Sequence, residues 1–110
     1  MTDKIVVLCT CASPEEGERL ARALVEARLA ACVNIVGGMR SVYRWNGQIE
    51  SAEECLLAIK STRGLFDALR TRIEDLHSYQ VPEVLALPVV DGAARYLDWL
   101  SSALEPESNE

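Results

Sequence analysis

The feature that most constrains the fold is a pair of long strands that meet at Asn46-Gly47. This dipeptide predicts a type I′ β-turn, because both central residues of that turn need a positive φ. If Trp45 and Gln48 flank the turn, Tyr43 faces Glu50 across the hairpin. Tyr43 and Trp45 then lie side by side on one face near the tip. Hairpin tips normally stand in water, so this aromatic pair needs a surface that covers it.

The rest of the sequence predicts the other strands and helices of a small mixed domain. Residues 4–12 are apolar on both alternating faces, which is typical of a strand buried on both sides. Ser13 is a good N-cap, and Glu16 completes a capping box for a first helix whose apolar spacing continues to Ala31. Gly37-Gly38 interrupts the next strand and predicts a bend or bulge. The pattern then predicts a strand, a helix, a short strand and a last helix, over residues 48–61, 62–77, 84–90 and 92–104.

The order strand, helix, strand, strand, helix, strand, helix predicts an α+β protein with the ferredoxin-like, split βαβ fold. Right-handed crossovers put the two main helices on one face of an antiparallel sheet, and the last helix is an addition at the C-terminal end. The long hairpin protrudes beyond the helices. We expect a single domain over residues 1–104, followed by a polar, disordered tail at 105–110.

The strands within residues 30–62 are longer than two helices of this size can cover. Apolar residues and strand edges therefore stay exposed, and such surfaces aggregate unless they are paired. Symmetric assembly is the usual solution, so we expect an obligate homo-oligomer in which the 41–52 hairpin packs on a neighbouring copy. In the alternative, Tyr43 and Trp45 fold back onto their own last helix near Trp99.

Composition restricts the partners and the compartment. The net charge of −6 argues against nucleic acid and anionic membranes as main partners, since both favour Lys and Arg. No stretch approaches the roughly 18 apolar residues of a membrane span, and the first residues resemble a strand rather than a secretory signal. Cys9 and Cys11 are too close in sequence for a good bridge, so free thiols and a cytoplasmic location are expected.

Six stretches, in this order and spacing, resemble the family of divalent-cation tolerance proteins called CutA. They are VVLCT (6–10), LAACVNI (29–35), SVYRWNGQIE (41–50), LAIK (57–60), HSYQVPEVLALPV (77–89) and YLDWL (96–100). The resemblance covers nearly the whole chain, from Ile5 to about Leu104. It implies a ferredoxin-like subunit in a tight homotrimer joined through edge strands, and a role in tolerance of copper and other divalent ions.

The resemblance also implies a metal site at Cys9 and His77. Imidazole suits copper and zinc, thiolate suits copper(I), and His77 is the only histidine. Some relatives carry two adjacent histidines where this chain has Leu76-His77, so a copper site that needs both imidazoles is incomplete here. In the alternative, Cys9 is a packed core thiol and His77 caps the end of the second helix. Copper or another divalent cation is the candidate cofactor, and we expect folding to require none.

A second candidate site mixes aromatic walls with a few ionisable groups, as small-ligand clefts do. Lys60 lies within an apolar run and is expected to pair with Glu50 or Glu83. The resemblance supports a cleft of this kind between subunits. In the alternative, these residues form only a salt bridge and apolar packing that lock the trimer. The residues of the candidate cleft are Tyr43, Trp45, Glu50, Lys60, Tyr79, Pro82 and Glu83.

We expect no catalytic role, since the sequence lacks a Gly-rich phosphate loop and a Ser-His-Asp set. Redox sensing by Cys9 and Cys11 would require thiols with a low pKa. Two functions remain. In the first, a cytoplasmic homotrimer binds or buffers copper or other divalent ions. In the second, a trimeric sensor or adaptor binds a small molecule or a protein partner at an intersubunit cleft, and its effect on metals is indirect.

Overall fold

The computed structural model describes residues 1–106, which form one four-stranded sheet and three α-helices. The strands are β1 (Lys4–Cys11), β2 (Cys32–Trp45), β3 (Gln48–Thr62) and β4 (Leu85–Pro88). The α-helices are α1 (Pro14–Glu26), α2 (Phe66–Leu76) and α3 (Ala94–Leu104), and a short 3-10 turn, Arg63–Leu65, precedes α2. In this part of the chain, no helix combines the length and hydropathy that crossing a membrane requires. Of the tail predicted at 105–110, residues 107–110 lie outside the described residues.

The sheet has the strand order β2-β3-β1-β4, and every neighbouring pair is antiparallel. Because β3 lies between β1 and β2, and β1 lies between β3 and β4, each of the first two helices connects strands that are not neighbours. These are the two interleaved βαβ units of the split arrangement. The predicted ferredoxin-like α+β fold, with an extra C-terminal helix, is therefore confirmed.

The start of α1 follows the predicted capping pattern. Ser13 Oγ accepts a hydrogen bond from the Glu16 backbone N–H at 3.2 Å, and Pro14 occupies the first turn. The helix ends at Glu26, earlier than the apolar spacing predicted, because Arg28 has a φ of 56° that an α-helix does not accommodate. The loop between α1 and β2 is correspondingly longer than expected.

The core lies between the sheet and the helices α1 and α2. Alternate side chains of β1 and β3 point to this side, where they are almost fully buried against apolar side chains of the two helices. The core residues are Ile5, Val7, Cys9, Cys11, Cys55, Leu57 and Ile59 from the strands and Leu20, Leu24, Leu69 and Ile73 from the helices. Three of the cysteines are therefore core residues, whereas Cys32, which also lies in an apolar run of the sequence, is only partly buried.

The hairpin of β2 and β3 gives the molecule an elongated shape, 53 Å long against 30 and 23 Å in the other directions. Asn46 and Gly47 have φ values of 51° and 77°, as a type I′ turn requires. Tyr43 is paired with Glu50 across the two strands, so the register expected from the turn is confirmed. The hairpin consequently carries its aromatic side chains far from α1 and α2.

A bulge interrupts β2 where the sequence predicts one, at Gly37-Gly38. Val36 is paired with Leu56 and Met39 with Glu54. Between these two pairs the chain advances by three residues along β2 and by two along β3, which is the pattern of a β-bulge. The second glycine has a φ of 73°, which glycine adopts without the strain that a Cβ would cause. The extra residue therefore belongs to β2, before the hairpin begins to protrude.

The face of the sheet opposite α1 and α2 is only partly covered. α3 packs against β3, and its Leu100 is buried. Val36 in β2, and Leu85 and Leu87 in β4, remain about half exposed. Large apolar side chains at both edges of the sheet are thus available to a second protein surface.

Tyr43 and Trp45 do not fold back onto α3. The ring of Trp99 contacts that of Tyr96 instead, with ring centroids 5.6 Å apart. Tyr43 and Trp45 are 44% and 46% exposed. The fold-back alternative is therefore wrong for the described residues, and the aromatic tip keeps its exposed surface.

Candidate functional site

A cleft of about 690 Å³ lies beside the hairpin, on the face that carries Tyr43 and Trp45. Its walls come from the hairpin, from the end of β1 and from residues 78–83 between α2 and β4. The aromatic and acidic lining residues are Tyr43, Trp45, Glu54, Tyr79 and Glu83. Aromatic walls with a few polar groups are typical of a small-ligand site.

Four of the seven residues predicted for this cleft meet there, namely Tyr43, Trp45, Tyr79 and Glu83. Pro82 lies between two lining residues but does not line the cleft itself. Glu50 is the cross-strand partner of Tyr43 and also stands outside the lining. The structure therefore brings the predicted aromatic residues and Glu83 together and leaves Glu50 outside the lining, while a ligand role for the cleft stays a prediction.

Lys60 lies at the far end of β3, where it is paired with Cys32 of β2. Ten residues separate it from Glu50, which corresponds to about 33 Å along a strand. Its ammonium donates a hydrogen bond to the side-chain oxygen of Asn34. Among the described residues, the expected ion pair with Glu50 or Glu83 is not formed, because the length of β3 keeps Lys60 away from the cleft.

Glu54 is the cleft residue that the sequence prediction missed. It is 9% exposed, and its carboxylate accepts a hydrogen bond from the Tyr79 hydroxyl at 2.7 Å. Burial, followed by the adjacent carboxylate, raises the pKa of Tyr79, so the phenol stays protonated and donates. A signal was present in the sequence, because counting outward from the Asn46-Gly47 turn puts Glu54 on the same face as Tyr43.

His77 is the C-cap residue of α2, directly after Leu76, and its side chain is completely buried. Its Nε2 lies 2.7 Å from the Thr10 carbonyl oxygen, and its Nδ1 lies 3.0 Å from the Tyr79 backbone nitrogen. A carbonyl only accepts and a backbone N–H only donates, so Nε2 carries the proton and Nδ1 accepts. Both ring nitrogens are thereby engaged, and His77 fixes the position of Tyr79 in the cleft wall.

The Glu16 carboxylate connects the start of α1 to the same wall. It accepts hydrogen bonds from the Ala12 N–H at 3.1 Å and from the N–H and hydroxyl of Ser78 at 2.9 and 3.0 Å. Burial by itself raises the pKa of Glu16, but the hydrogen bonds from Ser78 and Ala12 outweigh it, so the pKa lies below its ordinary value. Glu16 and His77 together hold the segment after α2 against the N-terminal end of α1.

Cys9 and His77, the residues predicted to bind metal, do lie together. The Cys9 Sγ is 3.7 Å from the Thr10 carbonyl oxygen that His77 also contacts. Burial raises the pKa of Cys9 to about 12 and that of Cys11 to about 11. Such thiols stay protonated at neutral pH, which disfavours nucleophilic, redox and metal-binding roles.

A metal site at Cys9 and His77 stays a prediction. Binding there requires the thiol to lose its proton and the imidazole to release one of its two hydrogen bonds. Within residues 1–106, no three or more His, Cys, Asp or Glu side chains are grouped so that they could hold a metal ion. The aromatic cleft is therefore the better-formed site of the two.

Comparison with known proteins agrees with this fold. The sequence profile of the family described as "CutA1 divalent ion tolerance protein" matches residues 5–103. The divalent-cation tolerance protein CutA of Thermus thermophilus is 52% identical over 95 residues, which cover 86% of this chain and 92% of that protein.

Two further relatives show how far the similarity extends. The chloroplastic protein CutA of Arabidopsis thaliana is 46% identical over 99 residues, which cover 90% of this chain and 54% of that longer protein. The crystal structure of CutA from Xylella fastidiosa has a TM-score of 0.92 at 38% identity and covers 94% of this chain and 100% of that one. This chain therefore belongs to the CutA1 family of divalent ion tolerance proteins.

Proposed function

We propose that the chain acts in divalent-cation tolerance as a homotrimer that binds a small ligand or a partner segment in its cleft, without catalysis. The observation that carries this proposal is the cleft of about 690 Å³, with three aromatic side chains and two carboxylates in its walls. Its volume lies within the range of about 300–1,000 Å³ that is usual for small-molecule sites. Under this proposal, the effect on metal tolerance is indirect.

The two tryptophans provide a matched test of the cleft. Trp45 and Trp99 are both 46% exposed, but only Trp45 lines the cleft. In cells that lack the gene for this chain and grow on copper salts, Trp45→Ala should fail to restore tolerance, whereas Trp99→Ala should restore it. Equal rescue by the two variants would contradict a role for the cleft.

The metal content of the protein provides a second test. Protein purified without an affinity tag or added metal should contain no stoichiometric copper, and its cleft should release a small molecule on denaturation. Elemental analysis and mass spectrometry of the released fraction make the two measurements. Stoichiometric copper with an empty released fraction would favour direct metal binding instead.

Assembly into a homotrimer is supported by the apolar surface that one copy leaves exposed. Val42 and Ile49 on the hairpin are 68% and 64% exposed. The outer edges of β2 and β4 have no strand beside them within the described residues. Exposed apolar side chains and unpaired strand edges both promote aggregation, and neighbouring copies that cover them remove both causes. Light scattering at micromolar concentration should give three times the chain mass, and a stable folded monomer would contradict the proposal.

Direct copper binding is the second candidate, favoured by the shared contact of Cys9 and His77 with the Thr10 carbonyl oxygen. Isothermal titration with Cu(I) and with Cu(II) should then give weaker binding for Cys9→Ser and His77→Ala than for the unchanged protein. Circular dichroism of each variant checks that it is folded. Equal affinities would remove both residues from any specific copper site.

We place this function in the cytoplasm. The support is the packing of the cysteines, since Cys11 and its cross-strand neighbour Cys55 fill the core as small apolar thiols and the fold needs no disulfide between them. A reducing compartment keeps them as thiols. Alkylation in acid-quenched cells should therefore find four reduced cysteines, and a Cys11–Cys55 disulfide would argue for an oxidising compartment.

A further inference from the structure

We propose that the cleft takes an organic cation, whose ammonium or guanidinium group meets Glu54 and whose apolar part lies against the aromatic walls. This inference rests on the proposed ligand-binding function and adds the chemical class of the ligand. It follows from three properties of the cleft, which are the sign of its charge, the direction of the neighbouring arginines and the presence of three aromatic residues in its walls.

The charge of the lining has one sign. Glu54 and Glu83 supply two carboxylates, while no Lys, Arg or His is among the described residues that line the cleft. Glu54 is nine-tenths buried, and the side chain that bonds it is the neutral phenol of Tyr79. A buried carboxylate without a cation carries an uncompensated desolvation cost, so a cation bound in the cleft stabilises it.

The arginines of the hairpin cannot supply that cation. Arg40 and Arg44 alternate along β2 with Tyr43 and Trp45, and their side chains therefore point to the face of the hairpin opposite the two rings. There Arg40 lies 3.7 Å from Glu53, the sequence neighbour of Glu54. Within the described residues of one copy, no side chain that lines the cleft supplies the positive charge, and we assign that charge to a molecule that enters the cleft.

The aromatic side chains favour an organic cation over a bare metal ion. Tyr43, Trp45 and Tyr79 line the cleft, and cations are attracted to the faces of aromatic rings within about 6 Å. Tyr79 is held at both ends, by His77 Nδ1 at its backbone and by Glu54 at its hydroxyl, so this wall is formed before any ligand arrives. A bare divalent ion needs several convergent oxygen or nitrogen ligands, and the described residues contain no group of three.

Three probes with the same phenyl ring and different charge test this class. They are 2-phenylethylammonium, 2-phenylethanol and 3-phenylpropanoate, each titrated into the full chain in its assembled state. The fluorescence of Trp45 in a Trp99→Phe background reports the cleft, and calorimetry gives the affinity. The ammonium should bind at least about tenfold more tightly than the alcohol, and the carboxylate should bind most weakly.

Two neighbouring carboxylates provide the matched variants. Glu54→Gln keeps an oxygen that accepts the Tyr79 hydroxyl and removes only the charge. Glu53→Gln removes a charge on the opposite face. Ammonium affinity should fall about tenfold in Glu54→Gln and change by less than about twofold in Glu53→Gln, with alcohol affinity unchanged in both. Equal losses in the two variants, or none in Glu54→Gln, would overturn the inference.

The remaining outcomes separate this inference from the proposed function. If the alcohol or the carboxylate binds as well as the ammonium and changes Trp45 fluorescence, the cleft binds ligands and the cation class is wrong. If no probe changes Trp45 fluorescence, the cation class is wrong, and loss of tolerance in Trp45→Ala still supports the cleft. If light scattering shows that Glu54→Gln alone dissociates the assembly, the cation is a basic side chain of a neighbouring copy and the inference is overturned.

Discussion

The substitution Glu16→Gln should lower the free energy of unfolding by about 2 kcal/mol at neutral pH. The carboxylate accepts three hydrogen bonds at 2.9 to 3.1 Å, from Ala12 and Ser78, and is 6% exposed. Glutamine has one acceptor oxygen, so its amide N–H₂ faces the Ser78 N–H, which then loses a charged acceptor. One buried hydrogen bond to a charged group contributes about 1.5–3 kcal/mol, and this sets the magnitude.

Urea denaturation followed by circular dichroism measures this loss. Every sample must have the same protein concentration, because assembly makes stability depend on concentration. Glu18→Gln is the matched control, since Glu18 lies on the same helix but is about half exposed and paired with Arg22 at 2.7 Å. An exposed pair of this kind contributes only about 0.3 kcal/mol.

The pH dependence follows from the lowered pKa of Glu16 in the folded state. A carboxyl group whose pKa is lowered by folding stabilises the protein above its unfolded pKa, and this contribution is lost as the pH falls through the folded pKa. The difference between the unchanged protein and Glu16→Gln should therefore be full at pH 7 and shrink below about pH 4. A Glu16→Gln loss no larger than that of Glu18→Gln, or a gap that stays constant down to pH 3, would refute the reasoning.

Three further predictions concern the turn, the core thiols and a buried hydroxyl. Gly47→Ala should cost about 1 kcal/mol because of its φ of 77°, while Gly64→Ala, also without near neighbours, should cost little; equal melting temperatures would contradict this. Cys9 and Cys11 should resist iodoacetamide at pH 8, since their pKa values are about 12 and 11, and mass spectrometry showing alkylation at the rate of the denatured chain would contradict it. Ser61→Ala should lower the unfolding free energy by about 1 kcal/mol, because the buried hydroxyl donates to a backbone carbonyl at 2.7 Å; urea midpoints that coincide would exclude that contribution.

The sequence predicted the hairpin turn and the start of α1, because each of these depends only on residues that are neighbours in the chain. The Asn46-Gly47 turn set the register of the hairpin, and the capping residues set the start of α1. The end of α1 was predicted too late, since apolar spacing continues past the left-handed residue Arg28. A single backbone dihedral angle leaves no trace in a hydrophobic pattern, which explains that error.

The candidate site was harder to predict because it depends on distances between separate elements. Lys60 and Glu50 belong to one predicted strand, but the length of that strand keeps them apart. Glu54 became a cleft residue through its bond to Tyr79, which lies in an irregular segment 25 residues away in sequence. The hydrogen bond from His77 Nε2 to the Thr10 carbonyl likewise joins the end of α2 to β1, and no local pattern connects those two places.

The bulge at Gly37-Gly38 lets a single strand belong to two surfaces that need different alternation. Before the bulge, the odd-numbered Ile35 is paired with Leu57 of the core, whereas after it the odd-numbered Tyr43 is paired with Glu50 and shares a face with the even-numbered Glu54. Side chains alternate along a strand, so only an additional residue in β2 reconciles the two halves while β3 runs on without interruption. Deleting one glycine should therefore close the bulge and leave Tyr43 paired with Glu50. The hairpin takes its register from its own turn, and the bulge absorbs the mismatch with the sheet below.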